Sequence, residues 1–422
     1  MLNSAQSSGP VIDEIFNALL AGDGASFDSL ATDRAVECSE IRALICTDDS
    51  SAVALDLNLQ LKSTIYVTSV FSGPRAVFVS PEISKQILSQ GEKAIFPIDH
   101  SLSFDSNFAE KLRAMFNNEN IPQFERDRVI AVLMLKANNP RVQLDVLPFL
   151  YENVRLACED VDNLRPLNTL IAFRMLDHLN WEEFRHNPSQ PDFGTDIKRL
   201  KDALQPSADA FLSGLYADQS VNHMEVTTLG TQALLFRFAK LWRNNPRKNT
   251  EQILEELIQF SITKLGALPS TELSLIWCGI KDKEMNPFFG SINNQSAKTP
   301  KAIRGMAWDM THLRVMEQLA NSGHDGTFFI PHFVSIDARW RQLLQLNPIK
   351  FMLADAKTKT TLFGRVNELD FQSILRKSIG KDVLTKFDAE KVAARRAAAV
   401  SLDRDEMLAL VAEEERAFLQ VI

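Results

Sequence analysis

Four acidic residues stand where a folded chain can aim carboxylates at one point. Asp105 ends the apolar run in His100 to Phe108 (HSLSFDSNF) and is followed by Ser106 and Asn107. Glu152 lies in a helical pattern that starts near Pro148 (PFLYENVRLA), and Asp309 in the first turn of the pattern AWDMTHLRVMEQLA. Asp337 closes the strand-like run IPHFVSID and precedes the helical pattern ARWRQLL. In an open α/β sheet the binding crevice lies outside the carboxyl ends of the strands, so Asp105 and Asp337 are expected at one edge. Carboxylates gathered there repel one another unless a cation sits between them, and hard oxygen donors select Mg2+ or Mn2+. One or two such ions activate and orient water and neutralise a leaving oxygen, which is the chemistry of phosphodiester hydrolysis.

Regular elements must position these groups, and 16 Gly and 17 Pro in 422 residues suit long elements better than many short turns. Residues 11–60 read as short apolar helical patterns between polar turns, and 63–79 as two strands around Ser72-Gly73-Pro74. Pro81 opens a short helix that Gly91 ends. From Lys93 an α/β pattern follows: a strand-like run over 94–104, a helix over 108–116, and helices from about Gln123 to Cys158. Residues 161–290 carry the longest helical periodicity, with Leu254, Leu257, Ile258, Ile262 and Leu265 on one face. Residues 290–301 read as a loop, after which a helix (308–320), a strand (328–336), a helix (338–346) and a strand (349–354) are expected. Thr385 with Asp388, and Asp403 with Glu406, resemble capping boxes opening helices over about 386–399 and 404–420. The expected class is α/β: a predominantly helical protein with an α/β/α core on a central parallel sheet and large helical additions.

The acidic set resembles the PIN-domain nucleases. Their first motif, an apolar strand ending in Asp-(Ser/Thr)-Asn, is matched by Phe104-Asp105-Ser106-Asn107, and their fourth, (Thr/Ser)-x-Asp, by Ser335-Ile336-Asp337. Asp309 opens an amphipathic helix 28 residues before Asp337, and Glu152 follows Asp105 by 47 residues as a looser second motif. From Glu152 to Asp309 is 157 residues, far more than compact members of the family need. The resemblance therefore implies a nuclease core split into 91–160 and 298–380 by a helical insertion over 161–297. An N-terminal α/β segment (1–90) and a C-terminal helical pair (381–422) flank it. It further implies endonucleolytic cleavage, RNA favoured over DNA, with Asp105 and Asp337 as direct metal ligands. Asp309 is then a ligand or a holder of metal-bound water, and Asn107 and Ser335 support the set by hydrogen bonds. A nuclease with large accessory helices suits a controlled effector of toxin-like or defence type.

Net charge is −8, which argues against a wholly electrostatic nucleic-acid binder. Residues 298–381 nevertheless hold 13 Lys/Arg against 7 Asp/Glu, leaving −14 on the rest of the chain. Lys298, Lys301 and Arg304 precede Asp309, and Arg339 and Arg341 follow Asp337, where they could contact phosphates. Trp308 and Trp340 adjoin the acidic residues as candidate stacking platforms. His100, His312 and His332 lack metal-ligand spacing and read as structural.

Three alternatives stay open. Asp99, ending the run IFPID, competes with Asp105 for the first position. Ile349 to Lys357 (IKFMLADAK), with Asp337 upstream, resembles the Asp…Asp-x-Lys core of restriction-type nucleases, centred on Asp337, Asp355 and Lys357. A non-catalytic protein whose helical block and C-terminal helices bind a regulatory partner or a second copy is the third. Four scattered cysteines, no basic and apolar leader, and no run of about 18 apolar residues point to a reduced, cytoplasmic protein without a membrane span.

Overall fold

A computed structural model describes residues 11–55, 66–90, 94–159, 162–245, 249–282, 284–320, 328–378 and 403–421. The chain begins with helices α1 (Val11–Ala21) and α2 (Gly24–Asp33), then strands β1 (Ile41–Thr47), β2 (Val53–Ala54), β3 (Val67–Ser69) and β4 (Arg75–Val79). Helix α3 (Pro81–Gln90) leads to β5 (Ile98–Phe104), α4 (Ser106–Phe116), α5 (Gln123–Asn138), β6 (Gln143–Asp145) and α6 (Leu147–Glu159). A wholly helical stretch follows: α7 (Arg165–Met175), α8 (Trp181–His186), α9 (Ile197–Ala217), α10 (Gln219–Asn244), α11 (Thr250–Phe260), α12 (Ser270–Ile280) and α13 (Gly290–Asn293). Then come α14 (Thr299–Ala320), β7 (Phe328–Val334), α15 (Ala338–Leu346), β8 (Ile349–Asp355), β9 (Thr360–Arg365), α16 (Glu368–Ser378) and α17 (Arg404–Leu419).

The nine strands among the described residues form two sheets rather than one. An antiparallel sheet has the order β2-β4-β1-β8-β9, and a second sheet has the order β3-β7-β5-β6. In the second, β5 is parallel to both β6 and β7, and only the edge strand β3 is antiparallel. The single parallel sheet expected over 91–160 and 298–380 is thus corrected: residues 349–365 leave it and pair with β1 instead. The cause is a strand that helical periodicity concealed, since Ile41–Thr47 fell inside a region read as short helices. Strands β3 and β4 flank the Gly73 turn as expected but part to different sheets, Gly73 taking φ 101.

Every residue of β7 is buried, as a strand covered on both faces requires. It carries Pro331, which has no N–H for a ladder, yet β3 pairs only as far as His332 and stops one residue short of the proline. Helix α14 packs on β7 and α6 on β5, so helices cover this sheet. The expected loop at 290–301 is mostly regular: α13 occupies its start, and α14 begins at Thr299 behind Pro300.

Two large apolar clusters hold these layers. One gathers α4 to α9 around Leu102 and Phe104 of β5; the other gathers α10 to α15 around Phe328, Ile330 and Phe333 of β7. A third seats Val11, Ile12 and Ile15 of α1 against Phe351 and Leu353 of β8. Helix α17 opens with the expected Asp403/Glu406 capping box and packs along α10 through Arg404–Glu225 (2.6 Å) and Phe236–Phe418 (5.9 Å between rings). Its stripe of Met407, Leu410, Val411 and Phe418 is therefore buried within this chain. The companion helix expected over 386–399, with Thr385 and Asp388, lies outside the described residues. Among the described residues no helix is long and apolar enough to cross a membrane.

Helices α12 and α14 and strand β9 are tied by ions. Arg314 pairs with Glu272, Arg365 pairs with Glu317, and Arg365 Nη1 donates to the Asn347 carbonyl (2.8 Å). Burial lifts the Glu317 carboxyl, and Arg365 opposes that lift. Removing one partner strands a buried charge, so Glu317→Ala is expected to destabilise by about 3–5 kcal/mol, whereas exposed Glu413→Ala should change stability by less than about 1 kcal/mol. Urea unfolding of both variants measures the difference.

Candidate active site

The parallel pairing of β5 with β7 ends in register at Phe104 opposite Val334. The next residue on each strand is Asp105 and Ser335, and both are buried. The Asp105 amide donates to the Val334 carbonyl (3.0 Å). Its carboxylate caps α4, accepting from the Phe108 amide at 2.7 Å, and accepts from Ser335 Oγ at 2.5 Å. Ser335 Oγ in turn accepts from the Asp337 amide at 3.0 Å, so one hydroxyl links the first and fourth acidic residues.

Asp337 caps α15: Oδ1 accepts from the Arg339 amide at 2.8 Å. Its other oxygen receives the Arg339 side chain, with Nε and Nη2 each at 2.8 Å. Arg339 Nη2 also lies 3.8 Å from Asp309 Oδ2, too far for a hydrogen bond but close enough for an ion pair. Asp309 does not open a helix as expected: α14 already starts at Thr299, where the loop-like composition concealed it, so Asp309 projects from its interior, and that buried oxygen has no hydrogen-bond partner. Glu152 projects from α6, accepts from Ser106 Oγ, and Ser106 is itself held by Asn153 Nδ2 at 2.8 Å.

These four acids act on one another. Burial pushes the Asp105 carboxyl up to about 7, against the hydrogen bonds from Ser335 and Phe108, and the charges of Glu152 and Asp337 raise it further. Burial likewise pushes Asp309 up to about 7; Arg339 opposes this, while Asp337, Glu152 and Asp105 add to it. The surrounding carboxylates also hold the Arg339 guanidinium firmly protonated despite its partial burial. Nearby His312 is buried, with Nε2 3.3 Å from the Pro148 carbonyl, and that burial lowers its pKa while Glu152 opposes the shift.

The structure thus places Asp105, Glu152, Asp309, Asp337 and Ser335 within electrostatic or hydrogen-bonding reach of one another. Asp99 sits near the opposite end of β5 from Asp105, roughly 20 Å away along the strand, which separates the two candidates. Asp355 lies in the other sheet, its carboxylate occupied by the Lys357 amide (2.9 Å) and Thr358 Oγ1 (2.7 Å), and Lys357 is within electrostatic reach of Glu37. Asn107 is exposed in the first turn of α4, and Ser106 takes the supporting role expected of it. Trp340 is buried against Phe333 (4.2 Å between rings), which removes it as a stacking platform, while Trp308 is half-buried beside His312.

The basic residues separate too. Lys298 and Lys301 are exposed, but Arg304 pairs with Glu415 of α17 at 2.7 Å. Arg339 is turned onto carboxylates while about a third of its side chain stays exposed, and Arg341 is half-buried with a partner of its own. Sequence reasoning missed Asn153, which neighbours Glu152 but gains meaning only once α6 meets Ser106. It also missed Asp145 at the end of β6 (VQLD), whose carboxyl burial raises and which accepts from the first amide of α6, Leu147 N (2.9 Å), and from Ser103 Oγ (2.8 Å).

Among the described residues no group of three or more His, Cys, Asp or Glu side chains is gathered closely enough to hold a metal ion as placed. The donor set still fits a hard divalent cation: all four groups are carboxylates, and one buried oxygen of Asp309 lacks a partner.

An acid lifted above its unfolded value of 3.8 favours folding only while protonated, so this contribution is present below about pH 4 and is lost as pH rises through about 7. In EDTA the protein should therefore lose stability from pH 5 to 8. Asp309→Asn should flatten the decline and gain at least about 1 kcal/mol at pH 8, read by thermal unfolding at both values. No protein-family model, no curated protein and no solved structure matches the chain.

Proposed function

We propose that the protein is a nuclease that uses Mg2+ or Mn2+ to hydrolyse phosphodiester bonds, with a PIN-like core built on β5, β6, β7 and their helices. The observation that carries this reading is the convergence of Asp105, Glu152, Asp309 and Asp337 at the carboxyl end of adjacent parallel strands, although Asp105 and Asp337 are 232 positions apart in the chain. A cap explains Asp105 and Asp337 singly, but not the placing of Glu152 and Asp309, which lie half-buried inside helices and within electrostatic reach of both.

Asp105, Asp309 and Asp337 would hold the ion, which supplies Lewis acidity and a nucleophile at neutral pH. The chain's own groups do the rest. Ser335 fixes the Asp105 carboxylate and the turn carrying Asp337, while Ser106 and Asn153 fix Glu152. Exposed Lys298 and Lys301, at the start of α14, can take backbone phosphates without reading sequence. The preference for RNA, and the setting of a toxin-like or defence effector, follow from the family resemblance. Asp355 and Lys357, in the other sheet, take no part.

Single-stranded RNA and DNA incubated with Mn2+ or Mg2+ test this. Cleavage should require metal, fall by at least about 100-fold in Asp309→Asn, and survive Lys357→Ala. Loss in Lys357→Ala alone would favour the restriction-type site, and no cleavage with either metal would contradict the nuclease reading.

A further inference from the structure

Arg339 occupies an unfavourable place for a cation. It stands in the first turn of α15, where the helix dipole repels positive charge, yet it curls back onto the residue capping that helix. Between its amide and its side chain it takes up both oxygens of Asp337, and Nη2 reaches 3.8 Å toward Asp309 Oδ2. On its other side the guanidinium lies against Gly305 of α14, one helical turn before Asp309. A Cβ at 305 would stand 3.0 Å from Nη1 and 3.3 Å from Nη2. The absence of a side chain at 305 leaves the room that the guanidinium fills. About a third of the Arg339 side chain remains exposed, so it has a route outward.

We propose that Arg339 is an internal counter-ion of the acidic site. In the metal-free protein it neutralises Asp337 and Asp309 from the position a divalent cation needs, and binding of the cation displaces it toward solvent. This inference rests on the metal-site reading above. Metal affinity is then set by a competition, because the ion must first release a forked, charge-assisted contact. A residue that merely braced α15 would affect folding but not metal affinity.

Mn2+ binding followed by the electron paramagnetic resonance of free Mn2+, on the full chain without nucleic acid, separates these cases. Arg339→Gln should bind Mn2+ at least tenfold more tightly than wild type and show a larger Mn2+-induced rise in melting temperature. Gly305→Ala, which crowds the guanidinium while improving helix propensity, should tighten binding severalfold and guards against misfolding of the first variant. Asp309→Asn should lose binding. If Asp309→Asn loses binding but both Arg339→Gln and Gly305→Ala bind as wild type does, the counter-ion role is wrong and the metal site stands. If neither wild type nor Arg339→Gln binds Mn2+ at millimolar concentration, the metal site itself is wrong and the inference falls with it.

Discussion

The parallel pairing of β5 with β7 is the constraint on which the rest depends. It joins residues 98–104 to residues 328–334, so all of α4 to α14 must be threaded between two adjacent strands. Loop-closure entropy grows only slowly with loop length, and a closed loop of this size is affordable once the strands bury both faces. Register matters more than length here. A slip of one residue would turn Asp105 to the other face and break its contact with Ser335, because alternate residues point to opposite sides.

Around that pairing the chain accepts a local electrostatic burden. Two buried carboxyls are lifted to about 7 and two further acids stand beside them. The compensation is partial: serine hydroxyls and helix amides serve Asp105 and Glu152, and Arg339 serves Asp337, but Asp309 keeps an unpartnered buried oxygen. In the Glu272, Arg314, Glu317 and Arg365 network each acid has its own guanidinium, although Glu272 Oε1 is, like Asp309 Oδ2, buried without a hydrogen-bond partner. At the acidic site a single guanidinium, Arg339, faces two carboxylates instead.

Part of this was legible in the sequence because its signals are local. Asp105 follows a strand and caps a helix within four residues, and Ser335 to Asp337 do the same, so type and spacing predict their placement. Helix α15 runs from Ala338 to Leu346 as its pattern predicts, and the block from α7 to α13 is helical throughout. What failed depended on distant partners. β6 has three residues and is a strand only because β5 lies beside it. β8 reads as a strand but cannot announce that its neighbour is β1, 300 residues earlier, so it was placed in the wrong sheet. Arg339 reads as a phosphate contact because it lies on a basic segment; its turn toward Asp337 and Asp309 is set by the gap at Gly305, on a helix the local pattern does not show to be adjacent.

In the proposed site Asp105, Asp309 and Asp337 share one divalent cation. Anomalous diffraction from crystals soaked in Mn2+ tests it most directly. A shared ion should give a Mn2+ peak in contact with carboxylate oxygens of all three, with Arg339 moved away from Asp337. A peak elsewhere, or none at millimolar Mn2+ with Arg339 still bound to Asp337, would contradict it.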